Sequence, residues 1–210
     1  MTTLAVPVLQ PWQRRLVSIA WITYAAYYLT RSNLSVAIPD MAAELSFSKG
    51  QVGAIGTGFF WFYAVGQLVN GQLGDRISPR RFVFVGMMVS AALSFAFGWF
   101  SAWSVLFILW AINGFFQATG WGPILRTLAN WLTPGQSRKI SGVFGSCFVA
   151  GNAVTLLLSG WLASSYGWRY AFWVPAGLLA ITAVGWYLLV RDTPEGAGYT
   201  AVNPPPPTND

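Results

Sequence analysis

The sequence has no histidine, a single cysteine, and only six acidic residues against twelve lysines and arginines in 210. Each scarcity removes a class of chemistry. Cys147 lies within an apolar stretch and has no second thiol, so one chain cannot build a disulfide framework or a thiolate metal site. A catalytic Cys/His pairing is likewise impossible, and no cofactor, metal or enzymatic activity is expected. Charged residues make up 9% of the chain, where a soluble domain carries about 25%. A net charge of +6 would suit nucleic acid if the cations formed one soluble face, but most of them fall in short gaps between apolar runs. Nucleic acid is therefore not an expected partner.

What the chain has in quantity is apolar sequence: 55% hydrophobic residues, with a mean hydropathy of +0.51. Six segments of about 20 residues can be drawn, over 16–38, 52–73, 81–100, 104–128, 140–163 and 169–190. An all-α integral membrane protein follows, with a cytoplasmic segment 1–15, a six-helix bundle 16–190 and a Pro-rich cytoplasmic tail 191–210. The first run is too long for a signal-peptide core and lacks a convincing cleavage site, so it is read as retained. Arg14, Arg15, Arg76, Arg80, Arg81, Arg138, Lys139 and Arg191 flank one side of the segments, against Lys49 and Arg169 on the other. By the positive-inside rule both termini face the cytoplasm, in the plasma membrane or bacterial inner membrane. Trp12, Trp99, Trp103, Trp131 and Trp168 sit near segment ends, where interfacial anchors belong.

Arg31 breaks the pattern. It interrupts the first segment about 10 Å from Pro39 at helical rise, too deep for a relaxed snorkel. An arginine at the helix centre costs at least about 2.5–3.5 kcal/mol unless a cavity or partner compensates it. Tyr24, Tyr28 and Arg31 follow at i, i+4 and i+7, placing two phenols and a guanidinium on one helical face. That face reads as a solute site; the plainer reading is a structural cation paired with backbone carbonyls. A guanidinium offers a bidentate fork to phosphate or carboxylate, so the solute expected is an anion. No Asp or Glu falls within the six segments, and proton-coupled carriers use buried carboxylates or histidines as relays. Exchange or facilitated movement is thus favoured.

Segments two and five are rich in glycine, including Gly71 and Gly74 in one and the spacings Ser141-xxx-Gly145 and Gly142-xxx-Ser146 in the other, so both are expected to pack closely. Segment four carries Gly114, Gln117, Gly120, Trp121, Gly122 and Pro123 in its middle, and a bend is expected there. Arg126 either lines the same cavity or snorkels to headgroups; Trp121 and Asn152 are further cavity candidates. Gly71, Leu73 and Arg80 recur as Gly160, Leu162 and Arg169 at an offset of 89 residues, as an inverted repeat of three helices requires.

The run Gly71-Gln-Leu-Gly74-Asp75-Arg76-Ile-Ser-Pro-Arg80-Arg81 resembles the cytoplasmic signature of the major facilitator superfamily. A narrower resemblance rests on Tyr27-Tyr28-Leu-Thr-Arg31-Ser-Asn33, on Gly114-Phe-Phe-Gln117-Ala-Thr-Gly120-Trp121-Gly-Pro123 with Arg126, and on Arg191-Asp-Thr-Pro194-Glu-Gly-Ala-Gly198. Together these are similar to the organophosphate:phosphate antiporter family, which includes exchangers of glycerol 3-phosphate or hexose 6-phosphate for phosphate. The resemblance covers about residues 12–198 and corresponds to the N-terminal six-helix half of a family member. It implies a fold of 3+3 inverted repeats and makes Arg31 one of two arginines that grip the substrate phosphate. Tyr24, Tyr28 and Tyr63 match cavity tyrosines, with Gln67 beside them, and Gly71, Gly74, Asp75, Arg76, Arg80 and Arg81 match a gating motif. Family members commonly carry lysine where Gln67 stands, and the glycerol-phosphate branch carries histidine where Phe148 stands, so a monoanion such as a carboxylate, or an uncharged polar solute oriented by Gln67, stays open. The expected partners are a small anionic solute, the bilayer, and a second six-helix half from a separate chain or a second copy. The rival reading is a non-transporting receptor or a truncated, inactive fragment.

Overall fold

Polar caps and prolines start most of the helices in the computed structural model, which describes residues 9–202. In chain order these are α1 Pro11–Tyr27, α2 Asn33–Leu45, α3 Lys49–Arg76, α4 Pro79–Phe97, α5 Trp103–Gln117, α6 Trp121–Trp131, α7 Pro134–Tyr166 and α8 Tyr170–Leu189. Pro11, Pro79 and Pro134 occupy the first turn of their helices, where a missing N–H costs nothing. Ser48 caps α3, accepting from the Gln51 amide at 3.2 Å while the Gln51 side chain accepts from the Ser48 N–H at 2.9 Å. Thr133 and Gln136 form the same reciprocal box at the start of α7. The Pro204–Pro207 tail and the first eight residues lie outside the described residues.

Among the described residues there is no strand, and five stretches are long and apolar enough to cross a membrane: α3, α4, α5 with α6, α7, and α8. The first apolar segment departs from its expected form. Instead of one helix over 16–38, α1 stops at Tyr27, a 3-10 turn occupies Tyr28–Thr30, and α2 starts afresh at Asn33. Nor does a loop begin at Pro39. α2 runs through that proline to Leu45, because Leu34, Ala37 and Met41 share a face that stays buried and outweighs one lost backbone bond. The bend expected in segment four is present as the gap between α5 and α6.

Two apolar cores stack along the bundle. One gathers Tyr27, Met87, Ile124, Phe144 and Trp186; the other gathers Met41, Phe59, Phe97, Trp110 and Phe172. Close helix approach depends on particular glycines. A Cβ on Gly66 of α3 would stand 2.8 Å from the Phe115 carbonyl of α5, and one on Gly151 of α7 would stand 2.5 Å from the Ala25 carbonyl of α1. The glycine spacings of segment five behave otherwise than expected: Gly142 and Gly145 have nothing within 4 Å of such a Cβ, so they do not pack against this chain. Trp131 and Trp168 are also not interfacial anchors. Both are buried, and each indole N–H is engaged inside the fold, to the Arg191 carbonyl at 3.0 Å and to the Glu44 carboxylate at 2.8 Å.

Candidate functional site

The interruption of the first apolar segment is what shapes the site. Breaking a helix frees backbone groups that hydrocarbon cannot satisfy, and here a side chain takes one up: Asn113 Nδ2 of α5 donates to the Thr30 carbonyl at 2.8 Å. Just past the break, Asn33 Nδ2 donates at 2.9 Å to the Ala171 carbonyl of α8, which Pro175 four residues on cannot satisfy. Around Thr30 a buried polar layer separates the two apolar cores. Gln117 Nε2 donates to Thr30 Oγ1 and to Ser90 Oγ, both at 2.8 Å, and Ser90 Oγ donates to Asn113 Oδ1 at 2.6 Å. With its Nε2 protons spent on two hydroxyls, the Gln117 side chain presents its oxygen outward in one fixed orientation.

Arg31 uses that oxygen. Its Nε donates to Gln117 Oε1 at 3.1 Å and its Nη2 to the Gln117 carbonyl at 3.4 Å. The guanidinium carbon lies 4.9 Å from the Tyr28 ring centroid and 4.8 Å from that of Tyr63. Two aromatic faces and one amide thus fix the plane of the fork. Arg31 forms no ion pair among the described residues. Beside it opens a cleft of about 560 Å³ lined by Tyr28, Arg31, Ser32, Ser35 and Asn152 on its polar part and by Leu34, Ile38, Phe59, Phe60, Trp110 and Leu156 on its apolar part. An anion entering it would meet a held, unneutralised guanidinium.

The other sequence-derived candidates divide. Tyr28, Tyr63 and Asn152 gather around Arg31 or its cleft. Tyr24 is not part of the cleft lining; it is buried among Trp121, Phe148, Tyr27 and Tyr28, with its hydroxyl near Arg31. Trp121 belongs to the same aromatic cluster, stacked on Phe144 at 5.7 Å. Gln67 is half-buried one helical turn beyond Tyr63 and outside the cleft lining. Arg126 is not part of the cleft lining. Its Nη1 donates to the Gly74 and Asp75 carbonyls at 2.7 and 2.9 Å, neutralising the end of α3. Sequence reasoning does not mark Gln117, Asn113, Ser90 and Thr30 as site residues. Polar side chains recurring in apolar segments are the available signal, but their convergence across residues 86 apart is not written there.

The glycine-rich signature lies at one end of the bundle. Gly74 is packed beneath Pro123, whereas Gly71 faces open space. Asp75, Arg76 and Arg81 are exposed, and the Asp75 carboxylate has no partner among the described residues. Arg80 is anchored: its Nε donates to the Tyr187 carbonyl at 2.6 Å, its guanidinium lies 4.2 Å from the Tyr187 ring, and its backbone N–H donates to Asp192 Oδ1 at 2.7 Å. Ser78 Oγ also donates to Asp192, at 2.5 Å, so this carboxylate closes the start of α4. At the opposite end Glu44 accepts from Arg169 Nη1 at 2.6 Å and from the Trp168 indole, while Arg169 Nη2 donates to Ser101 Oγ at 3.2 Å. The hydrogen bond from Arg169, reinforced by that from Trp168, holds the Glu44 carboxyl below its ordinary range.

Comparison with known proteins agrees with this architecture. The family model described as Major Facilitator Superfamily matches residues 20–207. A probable hexose phosphate transport protein of Chlamydia pneumoniae is 33% identical over 189 residues, 89% of this chain and 41% of that protein. The glycerol-3-phosphate transporter of Bacillus subtilis is 32% identical, over 85% of this chain and 41% of its own length. The Escherichia coli membrane sensor protein UhpC is 30% identical, over 91% and 44%. This chain therefore spans less than half the length of these curated relatives. Among solved structures, an inward-facing, unoccupied bacterial homologue of the human lysosomal transporter Spinster superposes with a TM-score of 0.78 at 17% identity, covering 96% of this chain and 47% of that one. Broken helices around a half-buried arginine, a signature loop at one bundle end and a family match across most of the sequence converge: the chain belongs to the major facilitator superfamily, a family of membrane transporters and not of enzymes.

Proposed function

We propose that this chain forms one wall of a secondary carrier that moves a small organic anion by alternating access, with Arg31 as the anion grip. The observation that carries the reading is the Arg31 guanidinium, oriented by Gln117 and by the Tyr28 and Tyr63 rings yet left without a counter-ion beside a cleft. A bound anion repays the desolvation of that cation. Tyr28, Tyr63 and Asn152 complete the first contacts, and Gln67 reaches the solute from one turn along α3 once a companion wall closes the cavity. Hexose phosphate and glycerol 3-phosphate, named for the relatives, head the solutes to test. A carboxylate follows, because Gln67 and Phe148 add no second cation.

In this reading α1 and α2 together make the first of six crossings, residues 16–190 are the bundle, and the arginine-rich end with both termini faces the cytoplasm. A 3+3 inverted repeat is supported by the two broken helices. The gap after Tyr27 and the gap after Gln117 lie close to the same 89-residue offset that relates Arg80 to Arg169. The companion wall is six further helices, from the same polypeptide, another chain or a second copy. A Cβ placed on Gly53, Gly56, Gly71, Gly142 or Gly145 would meet nothing within 4 Å, which leaves small-residue faces on α3 and α7 for that wall, with Asp75 at their rim as its latch. Counterflow of labelled phosphate against hexose phosphate, glycerol 3-phosphate and carboxylates in proteoliposomes tests the proposal, with and without a companion half. Transport that survives Arg31→Ala undiminished would remove it. The similarity to a membrane sensor protein favours a second reading, a receptor that binds the anion without moving it; binding without counterflow would select that one.

A further inference from the structure

Away from the central cleft, a second cavity of about 290 Å³ opens at the arginine-rich end, between the start of α1 and the end of α8. Its polar lining comes from Arg15 and Arg191, and its aromatic lining from Trp12, Trp131 and Tyr199. The Tyr199 ring stacks on Trp12 at 4.9 Å and meets Trp131 at 6.2 Å, so the chain leaving α8 folds back to roof the cavity. Arg191 Nη1 is committed to the Leu188 and Val190 carbonyls, at 3.1 and 3.0 Å, which fixes the guanidinium and leaves its other edge free. Arg15 is exposed and makes no hydrogen bond or ion pair among the described residues. Among the described residues no acidic side chain lines the cavity.

The rest of the lining is largely aliphatic. Leu16, Ile19, Leu188 and Leu189 form the floor. Arg15, Ile19 and Ile22 follow at i, i+4 and i+7 on α1; Leu188, Val184 and Ile181 run back at the same spacing on α8. Ile22, Ile181, Val184 and Leu188 are all exposed. Two parallel apolar lanes therefore lead from a doubly cationic seat toward the bilayer centre, each about 10 Å long at helical rise. A soluble anion would use the seat and leave the lanes empty, whereas a lipid would use both.

We propose that this cavity binds an anionic glycerophospholipid of the adjacent leaflet, with its phosphate between Arg15 and Arg191, its headgroup under Tyr199 and one acyl chain along the lanes. Basic pockets at the membrane surface select anionic headgroups, each cation contributing about fivefold, or ~1 kcal/mol, and the Trp12 indole at that end suits the interface. Occupancy would brace the α1–α8 contact and the returning segment, which also carries Asp192, the closure of α4.

The test uses the full chain in uncharged detergent, titrated with phosphatidylglycerol or with phosphatidylcholine of the same acyl chains and read by native mass spectrometry. Phosphatidylglycerol is expected to bind preferentially, and Arg15→Gln/Arg191→Gln to weaken it about 25-fold, while Arg14→Gln/Arg138→Gln, which removes equal charge at the same end, leaves it within twofold. Should the double variant fail to fold by circular dichroism, Arg15→Gln alone decides, with about fivefold weakening expected. Equal binding of the two lipids, equal loss in the control pair, or displacement by millimolar inorganic phosphate would each overturn the proposal, the last by making the seat a soluble-anion site.

Discussion

Replacing Gln117 separates the orientation of Arg31 from its charge. Gln117→Leu keeps the guanidinium unneutralised but removes the acceptor 3.1 Å from Nε. The fork is then held only by the Tyr28 and Tyr63 rings and by the residue-117 backbone carbonyl 3.4 Å from Nη2, and refixing it on binding costs about 0.5–1.5 kcal/mol, the value for one immobilised side chain. An affinity loss of about three- to tenfold follows. Gln117→Glu does something different: it places a carboxylate where the amide oxygen was and supplies Arg31 with an internal counter-ion. Two unit charges about 4 Å apart at an effective dielectric near 20 attract by about 4 kcal/mol, which a solute anion must displace, so its affinity falls by about three powers of ten. Ligand-induced thermal stabilisation reads both without needing transport. An anion present at 100 times its Kd raises stability by about 2.7 kcal/mol; tenfold weaker binding leaves about 1.4 kcal/mol, and thousandfold weaker binding leaves under about 0.1 kcal/mol. The order wild type, then leucine, then glutamate is therefore expected in the size of the anion-induced shift. A glutamate variant that shifts as far as the wild type would refute Arg31 as the anion grip.

Three further outcomes are expected. Because Glu44 is held below its ordinary range in the folded chain, its contribution is present near neutral pH and is lost as pH falls through that lowered value; the pair is partly exposed, so Glu44→Gln should cost no more than about 1 kcal/mol near pH 7. A stability difference that persists undiminished at pH 3 would contradict this. Asp192→Ala should destabilise the start of α4 by about 0.5–2 kcal/mol, as loss of an N-terminal cap does, and accelerate hydrogen exchange at the Arg80 amide in particular; unchanged exchange there would sink the assignment. Gly66→Ala drives a methyl into the Phe115 carbonyl and should cost about 1–3 kcal/mol by overpacking, whereas Gly145→Ala, facing open space, should be neutral or gain up to about 1 kcal/mol from helix propensity. Equal melting temperatures for the two variants would show that α3 and α5 do not approach as described.

The sequence by itself determined the membrane class, the approximate spans, the family resemblance and the anomaly of Arg31, because each is written in local composition or in residues a few positions apart. The bend near Gly120 was legible for the same reason. Where the first segment breaks was not, since hydropathy is blind to a 3-10 turn whose freed carbonyl is taken by Asn113, far along the chain. Tertiary structure alone decided that Gln117 holds Arg31, that Tyr24 packs behind the cleft, that Arg126 closes α3 and that Trp131 and Trp168 face inward. In each case the deciding interaction joins elements brought together by packing, where an unmet hydrogen bond in hydrocarbon costs more than the chain's local preferences can offset.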